Sequence, residues 1–285
     1  MPIPDMIRLV LLVFTAVTCV VIGDTAGKLL TADGVDPAFI AWSRFAIAVL
    51  ILLPFSGLQR AELPNLMRWR VFVRAIFIVI GITCMVTALK TEPIADVFGA
   101  FFVGPVVSYI LAILFLGERP STSRSVLLAI GFLGVMLVVK PGFGTSVGMV
   151  LALVAGTCYG AYLVMTRTVA GDYRPRFLLI SQLLIGGVVL APLGLSVDLP
   201  QLTTSLTALI MISALGSAAG NYMLVIANRK AEASLIAPLV YTQLISAAVL
   251  GIWVFGDWPD LFTLLGLCLI ALSGIGSLVL NQRKA

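Results

Sequence analysis

The hydrophobic positions of this chain form long continuous runs, at about residues 8–29, 37–57, 71–89, 94–116, 124–140, 147–166, 177–195, 206–227, 233–255 and 261–280. Crossing about 30 Å of hydrocarbon takes roughly 20 apolar residues of helix, so the pattern predicts ten transmembrane helices. Barrel strands would be shorter and alternate in polarity with period two, which excludes a β-barrel. Breakers separate the runs, among them Asp33-Gly34-Val35-Asp36-Pro37, Pro141-Gly142-Phe143-Gly144 and Asp198-Leu199-Pro200. These short turns make consecutive helices pack as hairpins. The first run holds Asp24 and Lys28 and no clear small-residue cleavage site, so it reads as a span and not a signal peptide.

Composition agrees. Of the 285 residues, 60% are hydrophobic and 11% charged, against about 25% charged in soluble domains. Almost nothing is left over for a soluble domain. The charges also set an orientation. Arg8, Arg60, Arg68, Arg70, Arg74, Arg119, Arg124, Arg167, Arg174, Arg176, Arg229, Lys230, Arg283 and Lys284 fall on one side of a ten-span topology, and only Lys28, Lys90 and Lys140 on the other. The positive-inside rule then predicts a multi-pass protein of the bacterial inner membrane with both termini cytoplasmic. The net charge of +5 is topological and gives no sign of a nucleic-acid partner.

Chemistry is sparse. There is no histidine, and Cys19, Cys84, Cys158 and Cys268 all lie in candidate spans without metal-ligand spacing. No catalytic residue, metal site or cofactor is expected, and no phosphate-binding Gly-x-x-x-x-Gly-Lys-Ser/Thr loop is present. The chain reads as a non-enzyme. A membrane enzyme acting on lipid-linked substrates would need acids, His or Ser with a base clustered at one membrane face.

Sliding the chain along itself gives a register of 139 residues. Thr18-Cys19 meets Thr157-Cys158, Lys28 meets Arg167, Ala88 meets Ala227, and Lys90 meets Arg229. Most specific is Gly117-Glu118-Arg119-Pro120 against Gly256-Asp257-Trp258-Pro259. In each half Gly ends the fourth span, the acid sits in the following turn and Pro opens the next helix. Residues 1–142 and 143–285 are thus two five-span units, and an odd number of spans makes the second unit enter the membrane inverted. Inverted repeats build many secondary transporters, whose central site opens to either side in turn.

Two tandem five-span units whose fourth spans end in Gly-Glu or Gly-Asp followed by Pro resemble the drug/metabolite transporter superfamily, EamA type, over about residues 8–281. Within it, length and short loops look most like bacterial metabolite exporters, including the YddG-like amino-acid exporters. The resemblance implies a basket of ten helices around a central cavity, lined mainly by spans 1, 3, 4, 6, 8 and 9, with spans 5 and 10 peripheral.

Ionisable groups at membrane depth are functional candidates. Asp24, Lys28 and Arg44 are placed to form a network closing the outer mouth, with a direct cargo or proton site at Asp24 as the alternative. Asp96 sits near the start of span 4, where a helix-dipole role is favoured. The repeat register pairs Thr83 with Tyr222, Phe102 with Tyr241, Gly104 with Gln243, Val20 with Tyr159 and Ile82 with Asn221. The candidate cargo-binding set is therefore Asp24, Thr83, Phe102, Tyr159, Asn221, Tyr222, Tyr241 and Gln243. Lys28, Arg44, Pro105 and Pro238 are candidate gates or hinges. Gly131, Gly134, Gly274 and Gly276 read as close-packing faces.

The sequence as a whole points to a secondary transporter exporting amino acids or similar small metabolites by alternating access. A proton-coupled multidrug or nucleoside/sugar exporter is the alternative. Its expected partners are the metabolite and the lipid bilayer, as a monomer or homodimer.

Overall fold

Backbone N–H and C=O groups in lipid find no water, so each apolar run must satisfy its own hydrogen bonds, and each folds as helix. The computed structural model describes residues 3–92, 94–139, 146–201, 203–256 and 258–282, and among them there is no strand. The helices of the first half are α1 (Ile3–Ala32), α2 (Pro37–Leu52), α3 (Trp69–Thr91), α4 (Ile94–Phe101), α5 (Val103–Leu116) and α6 (Thr122–Val139). Those of the second are α7 (Val147–Val169), α8 (Pro175–Gly194), α9 (Thr204–Lys230), α10 (Ala233–Val240), α11 (Gln243–Leu250) and α12 (Leu261–Gln282). A 3₁₀ segment, Arg60–Met67, precedes α3, and a π turn, Gly251–Phe255, continues α11. With α4 and α5 forming one span and α10 and α11 another, ten spans result. Among the described residues eight are long and apolar enough to cross a membrane, and α6 and α12 carry the shorter apolar stretches Thr122–Val138 and Leu261–Ser273.

Local chemistry sets the boundaries. Asp36 accepts the Ala38 N–H at 2.8 Å ahead of Pro37, and Ser146 and Thr203 cap α7 and α9 through Met149 N–H and Leu206 N–H. Gly117 and Gly256, with φ of 65° and 72°, end the fourth span of each half in the left-handed conformation that favours glycine. The prolines that follow do not open the next helices. These start at Thr122 and Leu261, two residues after Pro120 and Pro259.

The halves interlock: α1 packs on α9, α3 on α7, α2 on α8 and α6 on α12. The first two pairs exchange under the repeat register, as do the members of each of the others. One end of the bundle gathers the Arg60–Met67 segment, the α7–α8 turn and the end of α9, joined by Arg174 to Glu62 at 2.6 Å and Arg167 to the Asn228 carbonyl at 2.6 Å. At the opposite end Lys90 meets Asp36 at 3.8 Å. Helix α1 runs away from the arginine-rich end and α7 runs toward it, so the two repeats are inverted.

Both fourth spans break at register-equivalent residues, Phe102 and Tyr241. In the first, Pro105 has no N–H to offer the Phe101 carbonyl four residues back. That carbonyl lies where a Cβ on Gly156 of α7 would sit, and a Cβ on Gly104 would come within 2.7 Å of the Gly156 carbonyl. Only glycine lets α4 and α5 lie this close to α7. In the second, Pro238 precedes the break by three residues, and i to i+3 hydrogen bonds carry the chain across it, from Thr242 N–H to the Leu239 carbonyl and from Leu244 N–H to the Tyr241 carbonyl.

Candidate functional site

Because glycine closes the α4/α5 seam against α7 while α11 stands off from α1, a cavity of about 320 Å³ forms between the repeats on the side of α1. Its wall is mainly apolar, with Val21, Phe98, Leu244, Phe255 and Trp258, and carries Asp24, Thr25 and Lys28 from successive turns of α1. At the inner end of this stretch the Thr18 and Ser246 hydroxyls, 2.6 Å apart, tie α1 to α11. The cavity extends from there toward the end opposite the arginines, with Trp258 exposed at its rim. Val138 of α6 and Thr263 of α12 also reach it, whereas α7 and α9 contribute no lining residue. This differs from the lining expected by resemblance: α7 and α9 are drawn into their own helix pairs, so the cleft opens past α11 onto spans 5 and 10.

Arg44 is buried behind the cavity wall. It donates to Asp24 Oδ1 at 2.7 Å, Ser213 Oγ at 2.9 Å and the Gly23 carbonyl at 3.1 Å, joining α2 to α1 and α9. The pair neutralises Asp24. Lys28, one turn further along α1, is not part of it, and its ammonium lies 4.2 Å from the centre of the Phe255 ring.

A second buried guanidinium, Arg74, lies toward the arginine-rich end. It donates to Thr166 Oγ1 at 2.8 Å, the Leu178 carbonyl at 2.9 Å, Gln182 Oε1 at 2.8 Å and Tyr162 Oη at 3.2 Å. None of these is a carboxylate. The sequence counts Arg74 among the charges of the cytoplasmic side, near the start of the run 71–89, but it is fully buried inside α3. The arginines just before it masked its depth; the available signal was that apolar residues begin directly behind it. Its register partner is Ser213, which Arg44 contacts, so the two arginine nodes sit at related places in the two halves.

At the arginine-rich end the bundle is shut. Glu118 does not stay in its own turn: it reaches α10 and accepts Ala233 N–H at 2.9 Å and Ser234 N–H at 3.0 Å, capping a helix of the other repeat. Arg124 bridges Glu232 and Ser234 Oγ. The same end bears a polar vestibule of about 1090 Å³, lined by Arg119, Arg167 and Arg229 together with Glu118 and Glu232.

Of the residues singled out from the sequence, Asp24 and Lys28 line the cavity and Arg44 backs it. Phe102, Tyr159, Tyr241 and Gln243 are buried in the aromatic core beside it, where Phe101 stacks toward Tyr159 at 5.2 Å and Phe102 meets Tyr241 edge-on at 5.9 Å. The buried oxygens Tyr159 Oη, Tyr241 Oη and Asn221 Oδ1 have no hydrogen-bond partner among the described residues. The Tyr241 ring packs against Gly131 of α6. Thr83 bonds back to the Val79 carbonyl within α3, and Tyr222 faces a separate apolar crevice between α2, α8 and α9. Pro105 and Pro238 flank the two breaks. The side chain of Asp96 and all of Lys140 lie outside the described residues.

Comparison with known proteins agrees with this architecture. The model of the EamA-like transporter family matches residues 7–140 and again 146–279. The chain is 27% identical to a riboflavin transporter of Rhizobium johnstonii, over 82% of this chain and 78% of that one. It is 26% identical to an S-adenosylmethionine uptake transporter of Rickettsia felis, over 86% and 84%. A solved crystal structure superposes with a TM-score of 0.79 over 97% of this chain and 98% of its own at 17% identity, a likeness of fold alone. With the family's pattern matching both halves, the chain belongs to the EamA-like transporter family.

Proposed function

We propose that this protein is a secondary transporter of the inner membrane that carries a small polar metabolite through the cavity by alternating access, with its arginine-rich end in the cytoplasm. One observation carries the reading. In a molecule made of two inverted copies, the cavity lies toward one end, and the other end is bridged by contacts between the copies, from Glu118 to α10 and from Arg124 to Glu232. Exchanging the conformations of the copies would open the arginine-rich end and shut the other.

The names of the relatives favour uptake, and a cargo larger than the amino acid expected from sequence. Riboflavin and S-adenosylmethionine each join a planar heteroaromatic ring to a polar chain. A wall with Phe98, Phe255 and Trp258 suits such a ring. Tyr159 and Asn221, whose buried oxygens lack partners, are the hydrogen-bonding groups available when the cavity closes around it.

The test is purified protein in proteoliposomes with labelled riboflavin, S-adenosylmethionine, amino acids, nucleosides and sugars. Saturable uptake of at least one compound, accelerated by the same unlabelled compound inside the vesicle, is expected. Flux no greater than in empty liposomes for every compound would end the transporter reading.

A further inference from the structure

Each end of the pathway carries a basic residue, Lys28 or Arg167, that has no ion-pair partner among the described residues. At the open mouth Asp24 is taken up by Arg44, leaving Lys28 as the uncompensated charge on the cavity wall. Its ammonium meets the face of Phe255, and among the described residues no carboxylate lies within ion-pair distance. Topology does not explain it. The positive-inside rule accounts for arginines at the cytoplasmic end, whereas Lys28 stands at the opposite end, where the other described lysine, Lys90, is paired with Asp36. The repeat gives Lys28 a counterpart. Its register partner Arg167 lines the vestibule at the far end and donates to the Asn228 and Arg229 carbonyls, while Glu118 and Glu232 of that vestibule are engaged by α10 and Arg124. Arg74, between these ends, is likewise held only by neutral acceptors.

Resting on the transport reading above, we infer that the cargo is an organic anion, an apolar or ring-bearing body with a carboxylate or phosphate group, and that Lys28 docks the anion at the open mouth as Arg167 does at the other. An ammonium among apolar walls is a poor site for a cation and an adequate one for a neutral solute, but only an anion both accepts its hydrogen bond and pairs its charge. The Phe255 ring holds Nζ over the cavity without neutralising it, so the amine stays available. An inverted pair of basic residues also lets the same anion be received at either mouth, as a reversible carrier requires.

The experiment compares ring-matched pairs on the full-length protein in proteoliposomes: nicotinate against nicotinamide for a carboxylate, and riboflavin 5′-phosphate against riboflavin for a phosphate. Each is scored by its own uptake and by inhibition of the best labelled cargo. The acid of at least one pair should act at a concentration about ten to a hundred times lower than its neutral partner, the range expected from one charge-assisted bond. Which pair discriminates identifies the anion. Lys28→Gln should remove that preference and Lys28→Arg should keep it, with both variants melting within a few degrees of the native protein. Equal use of acid and neutral partner, preference for the neutral one, or an unchanged acid preference in Lys28→Gln overturns the inference while transport itself stands. Absence of uptake of any compound overturns both readings.

Discussion

Arg44 and Arg74 each bring a guanidinium to full burial, and their partners make the two unequal. Arg44 faces the carboxylate of Asp24, so Arg44→Met would leave that half-buried anion unpaired at the cavity wall, at a cost approaching the roughly 3–5 kcal/mol of a fully buried pair. Arg74 faces neutral acceptors that have second donors: Gln182 Oε1 also accepts from Tyr162 Oη at 3.0 Å, and the Leu178 carbonyl from Ser181 Oγ at 2.9 Å. Arg74→Met should cost only about 1–2 kcal/mol, because no charge is stranded and few acceptors are left unmet. Thermal unfolding in detergent checks the order, and an Arg74→Met protein melting below Arg44→Met would contradict it. In the same assay the double variant Asp24→Leu/Arg44→Leu should melt above Arg44→Leu alone, since removing both charges leaves neither uncompensated. Sequence made the Asp24, Lys28 and Arg44 neighbourhood legible because helical spacing puts Asp24 and Lys28 on one face. It did not show that Arg44 takes Asp24 for itself, since that depends on the approach of α9 and Ser213.

Between elements, the closing contact at the arginine-rich end is a carboxylate on a helix N-terminus. Glu118→Gln keeps the shape and weakens that cap by about 1–2 kcal/mol, which is roughly a five- to thirtyfold change in a two-state equilibrium. A cysteine at Ser234, in a background freed of Cys19, Cys84, Cys158 and Cys268, should then react faster with an impermeant thiol reagent from the arginine-rich side. An unchanged rate would remove Glu118 from the closure. A surface contact of the same end responds to acid. The Arg174 guanidinium hydrogen-bonds Glu62 and holds its carboxyl below the usual range, more than its slight burial raises it. A lowered folded value means the pair stabilises the protein above the unfolded carboxylate pKa and loses that contribution as pH falls through the folded one. Native protein should therefore exceed Glu62→Gln in melting temperature at neutral pH by a margin worth no more than about 1 kcal/mol, and match it at pH values below the folded pKa. The helix-ending glycines could be read from sequence because a left-handed C-cap is local chemistry. The reach of Glu118 to Ala233 could not, because it joins residues of different repeats.

Across the whole molecule, span number, inversion and the repeat register were legible from hydropathy and self-similarity, which depend on lipid and on duplication more than on packing. The cavity lining was not. It follows from which helix pairs draw together, and that is decided by small residues facing one another across seams. The two seams related by the repeat are built differently. Gly104 and Gly156 bring α5 against α7, while the register partners of these two residues are Gln243 of α11 and Val17 of α1. Ancestral duplication would have given two interchangeable doors, but here one leaf fits flush to its frame and the other carries bulk along its edge. The molecule therefore has a preferred resting posture, with its thin edge closed toward the arginines, and the opposite posture must be drawn shut by something that fills the gap the side chains leave.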